Sequence, residues 1–191
     1  METPFTWTVD LEHDWGGRTN GIQGITEGLP RILEIFRSYN IKALFFVSTE
    51  LAAENRGRIR DLLDRGHDVG SHGHFHIKYK DAWRAEADRQ ISFQLLSVFR
   101  IGTFEYRAPR FYYQSDSSMY SYRNNHISVL KWSWWKRPIP VQPVFYIHPF
   151  DIVSGGHAPN TFSRILYSRP DRVYKSLIKL AIKHPWRKRL T

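Results

Sequence analysis

The stretch GHDVGSHGHFH, residues 66–76, decides how the rest of the chain reads. It holds four of the nine histidines. HDVGSH has the character of a short strand, which sets His72 at the strand's C-terminal end with His76 four residues further on. A helical turn or a tight loop can aim two imidazoles at that spacing toward one ion. A polar, exposed loop would carry the same residues, and the segment alone does not separate the two readings. His74 lies between the pair and points elsewhere; with His67 it reads as scaffolding.

Working outward, FTWTVD (5–10) is β-rich and ends on a carboxylate. LPRILEIFRSYN places Leu29, Ile32, Leu33, Phe36 and Tyr39 at helical spacing, with Pro30 tolerated in the first turn and Asn40 at the stop. IKALFFV (41–47) is a nearly continuous apolar run, as in a strand covered on both faces. RGRIRDLLDRG reads as a helix closed by Gly66, and 81–100 as a longer helix. TFEYRAP, ISVLKW and VFYIH are further strand candidates, and 172–183 is a final helix. Strands alternating with helices predict parallel βα units, in a barrel or an open sheet. No repeat, low-complexity segment or linker breaks up residues 1–191, which read as a single domain with a basic C-terminal helix and tail at about 164–191.

Polar residues fall where the predicted strands end. Asp10, His72, Arg107 and His148 each lie at or just past such an end, and in a βα barrel those ends share the face that carries the chemistry. TVDLEHDW adds Glu12 and Asp14 to Asp10. Three acids this close repel one another, and a divalent ion removes that cost. Two neutral imidazoles and one carboxylate around such an ion would leave open positions for water and substrate.

Four segments, TVDLEHDW, GHDVGSHGHFH, YRAPRF and FYIHPFD, resemble in order the motifs of the polysaccharide deacetylase family, carbohydrate esterase family 4, also called the NodB homology domain. The resemblance implies an α/β fold, a deformed (β/α)7 barrel of the NodB type. It implies Asp10 as general base, His72 and His76 as metal ligands, Arg107 as the residue that orients the base, and His148 as general acid. The third ligand stays open between Glu12, which shares a strand face with Asp10 by alternation, and Asp14. Pro109 and Phe111 correspond to one wall of the substrate groove, although Arg110 separates the two. The family's Asp and Trp that usually tune the late histidine have no match, which leaves His148 without evident support. In KWSWW, read as strand, Trp132 packs while Trp134 and Trp135 offer stacking surfaces for sugar rings.

The implied cofactor is a divalent metal, Zn2+ first, with Co2+, Ni2+ or Fe2+ accepted by the same donors. The implied activity removes an N-acyl group, chiefly N-acetyl, from an amino sugar in a glycan, a lipid-linked sugar or a small oligosaccharide. Two alternatives stand beside it. One is a deformylase or other amidase of the same fold acting on a lipid-linked sugar, suggested by EGLPRILEIF after the first motif. The other is a catalytically silent glycan-binding module.

Composition bounds these readings. With 41% apolar and 15% aromatic residues the chain can bury a core, and the lack of cysteine excludes disulfides, thiolate ligands and a cysteine nucleophile. The net charge of +10 is concentrated: residues 164–191 carry nine Lys or Arg against the one acid Asp171. The near-neutral body argues against a nucleic-acid groove. In the tail, Tyr174, Leu177, Ile178, Ala181 and Ile182 form an apolar stripe with Arg172, Lys175, Lys179 and Lys183 opposite, which predicts a docked helix with a basic back. Weak contact with anionic lipid headgroups is the sharper reading of the same charge. The absence of a basic-then-apolar leader and of a long apolar run predicts a soluble protein, cytoplasmic or peripheral at the cytoplasmic membrane face.

Overall fold

WTVDL and LFFV, the first two strands, are buried at every position, so neither shows the alternation of a half-exposed strand. The computed structural model describes residues 7–14, 21–102, 105–111, 126–136, 138–139, 143–153 and 168–184. The strands β1 (Trp7–Leu11), β2 (Leu44–Val47), β3 (Asp68–Ser71), β4 (His126–Ser128) and β5 (Val144–Ile147) form one sheet in the order β3-β2-β1-β5-β4. The registers Trp7↔Phe145, Leu44↔Asp68 and His126↔Val144 are all parallel. Parallel neighbours need helical crossovers, which is why strand and helix alternate along the chain. Among the described residues, no helix is long and apolar enough to cross a membrane.

The chain groups into two compact units, one of Asp10–Glu12 and Leu44–Asn124, the other of Met1–Val9, His13–Ala43 and Asn125–Thr191. In the first, β2 and β3 pair, and Ser71 at the end of β3 forms a parallel bridge to Tyr106. TFEYRAP was expected to be a strand; of its described residues, 105–109, Tyr106 alone pairs and Pro109 opens a 3-10 turn, while residues 103–104 lie outside the described residues. The helices α2 (Thr49–Glu54), α3 (Arg56–Asp64) and α4 (Ala82–Val98) belong to the same unit. Helix α4 buries Leu96 together with two polar residues, Asp88 and Ser92. Such groups are buried only when bonded. Asp88 accepts from the His74 N–H and the Tyr79 hydroxyl, and Ser92 Oγ meets Ser71 Oγ at 2.5 Å. The helix therefore braces the histidine loop through polar bonds.

In the second unit β1 and β4 flank β5. Trp7 anchors the core, fully buried, with its ring 4.8 Å from Phe145 and 5.8 Å from Phe36. Its indole N–H donates to the His184 carbonyl at 2.9 Å, so the polar edge of the ring is satisfied as well. A π-helical turn, Gly24–Gly28, runs into α1 (Leu29–Ser38); of the expected stripe Leu29, Ile32, Leu33 and Phe36 are buried, Ile35 joins them, and Tyr39 is a half-buried C-cap. At Gly28 a Cβ would fall 2.0 Å from the Pro149 carbonyl oxygen, so only glycine lets these two stretches of backbone touch.

Two expectations for this unit are corrected. ISVLKW is strand only to Ser128, and Val129–Trp135 is helix α5. Ser128 Oγ caps the Lys131 N–H at 3.3 Å, and Lys136 closes the helix with a left-handed φ of 47°. Trp132 and Trp134 therefore do not share a strand face. In the last helix, α6 (Pro170–Lys183), the buried residues are Val173, Ser176, Leu177, Leu180 and Ala181, while Ile182 of the expected stripe is 58% exposed. Ser176 can join the buried face because Lys136 Nζ bonds its hydroxyl at 3.2 Å, and that rotates the docked side relative to a count of apolar residues alone.

Candidate active site

Glu12, His72 and His76 come together at the ends of β1 and β3, all buried, with ligand atoms within 4.8 Å of one another. Glu12 directly follows β1. The N–H of His72 donates to Val47 O at 2.9 Å, which ties the residue to the end of β2. His72 Nδ1 lies 2.7 Å from the carbonyl oxygen of Arg107. A carbonyl only accepts, so Nδ1 carries the proton and Nε2 presents a lone pair. That Nε2 is 3.3 Å from Glu12 Oε2, and His76 Nε2 contacts the same oxygen.

The loop that returns His76 to this point is not helical. Gly73 has φ 80° and His76 φ 53°. A Cβ on Gly73 would sit 2.6 Å from Asp88 Oδ2, the oxygen that accepts the His74 N–H at 2.8 Å. The Gly73 and His74 carbonyls accept from Thr49 and Glu50, and the His74 ring bonds Thr49 Oγ1 at 2.9 Å. His74 thus faces away from Glu12, and His67 packs edge-on against Phe45.

Two imidazoles and a carboxylate converging in a buried place are the donors that Zn2+, Fe2+, Co2+ or Ni2+ take. The fixed tautomer of His72 fits such a role, and so does the buried His76 Nδ1, which has no hydrogen-bond partner among the described residues. These residues fit a divalent ion.

Asp10 and Arg107 are also buried, and Arg107 Nη1 donates to Asp10 Oδ1. The guanidinium lies over the Phe46 ring at 4.1 Å, while the Arg107 N–H donates to Ser71 O at 2.9 Å. One residue therefore orients the Asp10 carboxylate with its side chain and His72 with its carbonyl.

Asp14 and His148 belong to the other unit. Asp14 accepts from the N–H groups of Gln23 at 2.7 Å and Gly24 at 2.9 Å. Its carboxylate is thereby engaged at the π-helical turn. Burial pushes the pKa of Asp14 up, and those two backbone bonds pull it down. The group of potential ligands found among the described residues contains Glu12 and not Asp14.

His148 follows β5 and caps a 3-10 turn, Pro149–Ile152, with its ring stacked on Phe150 at 4.8 Å. Asp151 Oδ2 accepts the His148 backbone N–H at 2.9 Å and lies 3.4 Å from His148 Nδ1. Asp151 is the residue that sequence reasoning missed. The signal was present in HPFD, where a proline opens the turn and an acid stands three residues after the histidine, the arrangement of a capping box.

Among the residues expected to meet substrate, Pro109 is buried and Arg110 is exposed at φ 55°. Trp135 is 53% exposed. The side chains of Phe111 and Trp134 lie outside the described residues.

Residues 16–97 match the family model described as polysaccharide deacetylase. No curated protein matches the sequence. Several solved structures share the fold. A peptidoglycan N-acetylglucosamine deacetylase is 17% identical with a TM-score of 0.59, over 93% of this chain and 81% of its own. A family 4 carbohydrate esterase from Streptomyces lividans, solved with acetate, is 13% identical with a TM-score of 0.55, over 93% and 88%. A family 4 pseudoenzyme from Bacillus anthracis is 16% identical with a TM-score of 0.56, over 93% of this chain; the chain spans only 60% of that protein's length. The shared architecture is the deformed βα barrel of the NodB type.

Proposed function

We propose that this chain is a metal-dependent hydrolase of the polysaccharide deacetylase kind that removes an N-acyl group, first of all N-acetyl, from an amino sugar, a reading supported by the match of residues 16–97 to that family's model and by the shared fold. The observation that carries the reading is Arg107, whose guanidinium holds Asp10 and whose carbonyl holds His72. A silent binding module has no use for a base and an imidazole fixed by one residue.

Glu12, His72 and His76 would hold the ion, with Zn2+ the first choice. When bound, the ion supplies a Lewis acid and an acidified water. Asp10 takes the proton of the attacking water at its carboxylate as the new C–O bond forms. Arg107 keeps that carboxylate aimed during the transfer. His148 delivers a proton to the nitrogen as the C–N bond breaks, because an amine leaves poorly as an anion. Asp151 holds the His148 ring for that role. The products are a free amino sugar and a carboxylate.

The test is release of acetate from N-acetylated glucosamine oligomers by the zinc-loaded protein. Asp10→Asn should lower turnover by about 10^2–10^4-fold while bound metal is unchanged. Formate from a formamido sugar, with no acetate from the acetylated one, would move the activity to deformylation. Binding without release of any acid would place the chain with the inactive members of the fold.

A further inference from the structure

The first turns of α6 line a cavity of about 490 Å3 with Arg169, Arg172, Lys175, Lys179 and Ser176. That volume lies within the roughly 300–1,000 Å3 of pockets that take small ligands. Asp171 is the one acid among the described lining residues. Ser176 is buried, and its hydroxyl is bonded by Lys136 Nζ at 3.2 Å, which sets a fifth cation against a lining residue. Lys136 also lies over the Trp132 ring at 4.0 Å, and Arg172 Nε donates to Ser133 O at 2.9 Å. These contacts hold two of the cations in place before any ligand arrives, which lowers the ordering cost of binding. Lys175 and Lys179 stay exposed.

Cations gathered this way repel one another. The ammonium of Lys136 is held below its ordinary pKa by burial first, and then by Arg172 and Lys179. Asp171 faces this cluster from α6 itself, and among the described residues no carboxylate is bonded to Lys136. An incoming multivalent anion would relieve the repulsion, and arginine and lysine together suit phosphoryl oxygens.

We propose that this cavity is a binding site for a phosphoryl-bearing anion of the size of a diphosphate or a phosphorylated sugar. None of its residues is assigned to the metal or to catalysis, so the inference does not depend on the deacetylase reading. The phosphoryl group can belong to a soluble molecule or to a lipid headgroup.

Titration of the full chain with inorganic pyrophosphate by calorimetry, at low salt, tests the site. Saturable binding is expected, weakened at least about tenfold in Lys175→Ala/Lys179→Ala, since bonds to charged groups are worth that much. Arg60→Ala/Lys80→Ala removes the same charge elsewhere and should leave binding unchanged. A parallel arm uses phosphatidylglycerol vesicles against phosphatidylcholine vesicles. Dependence on Lys175 and Lys179 in that arm assigns the phosphoryl group to lipid, and dependence confined to pyrophosphate assigns it to a soluble ligand. Equal weakening by both double variants, or no binding in either arm, overturns the proposal.

Discussion

His72 and His76 are held by partners far away in sequence, whereas His148 is held by a residue three positions on. The first segment draws on Val47, Thr49, Asp88 and Arg107, which arrive from β2, α2, α4 and the stretch after Tyr106. The second is a proline-initiated turn closed by its own Asp151. A locally closed turn can form whatever the rest of the fold does. A loop assembled from four distant elements exists only when the whole unit is folded. Damage to the first should therefore spread into metal binding and stability together, and damage to the second should stay with one side chain.

The sharpest break in that comparison is His72→Ala/His76→Ala. Elemental analysis should find bound metal reduced to background, since a carboxylate alone does not retain the ion. Next comes Gly73→Ala, which needs a left-handed φ and puts a methyl against Asp88. It should cost about 1–3 kcal/mol in thermal unfolding and weaken metal affinity in step. If stability fell with affinity untouched, the loop would not be what sets the ligands.

Asp151→Ala should lower turnover about 10–100-fold with metal content unchanged, the scale of losing an oriented histidine. Its readout is the pH–rate profile: the limb set by His148 should move, which loss of a merely structural cap would not do. The smallest effect is on stability alone. Burial, and then Lys183, lower the pKa of His184. The fold thus favours the neutral ring, so its contribution is whole above about pH 6.5 and is lost as pH falls toward the lowered folded value. His184→Phe keeps a ring against Phe145 and should flatten the decline in melting temperature between about pH 7 and 5.

Much of this was legible beforehand, because buried parallel strands and motif spacing are local signals. LFFV and the helix from Leu29 follow from patterns a few residues long, whereas His72 and His76 with Glu12 or Asp14 as candidate ligands come from the ordered motifs and their family resemblance. What escaped depended on partners that no local pattern names. VLKWSWW has β-branched and aromatic residues, and a single serine cap turns it into helix. The docked face of α6 was misjudged because a lysine from another element makes a serine worth burying. Asp151 was visible in the sequence and was passed over because the support for His148 was sought further away.

The meeting of Gly28 with Pro149 bears on how this protein would look to a mutational scan. A position where one added carbon would land 2.0 Å from a carbonyl oxygen accepts no other amino acid, although it performs no chemistry. Across a library of variants Gly28 should be depleted in selections for folding and for activity alike, and in the second as severely as Asp10 or His72. Asp10 should vanish only when activity is selected. Comparing the two selections would separate what this chain needs in order to exist from what it needs in order to act.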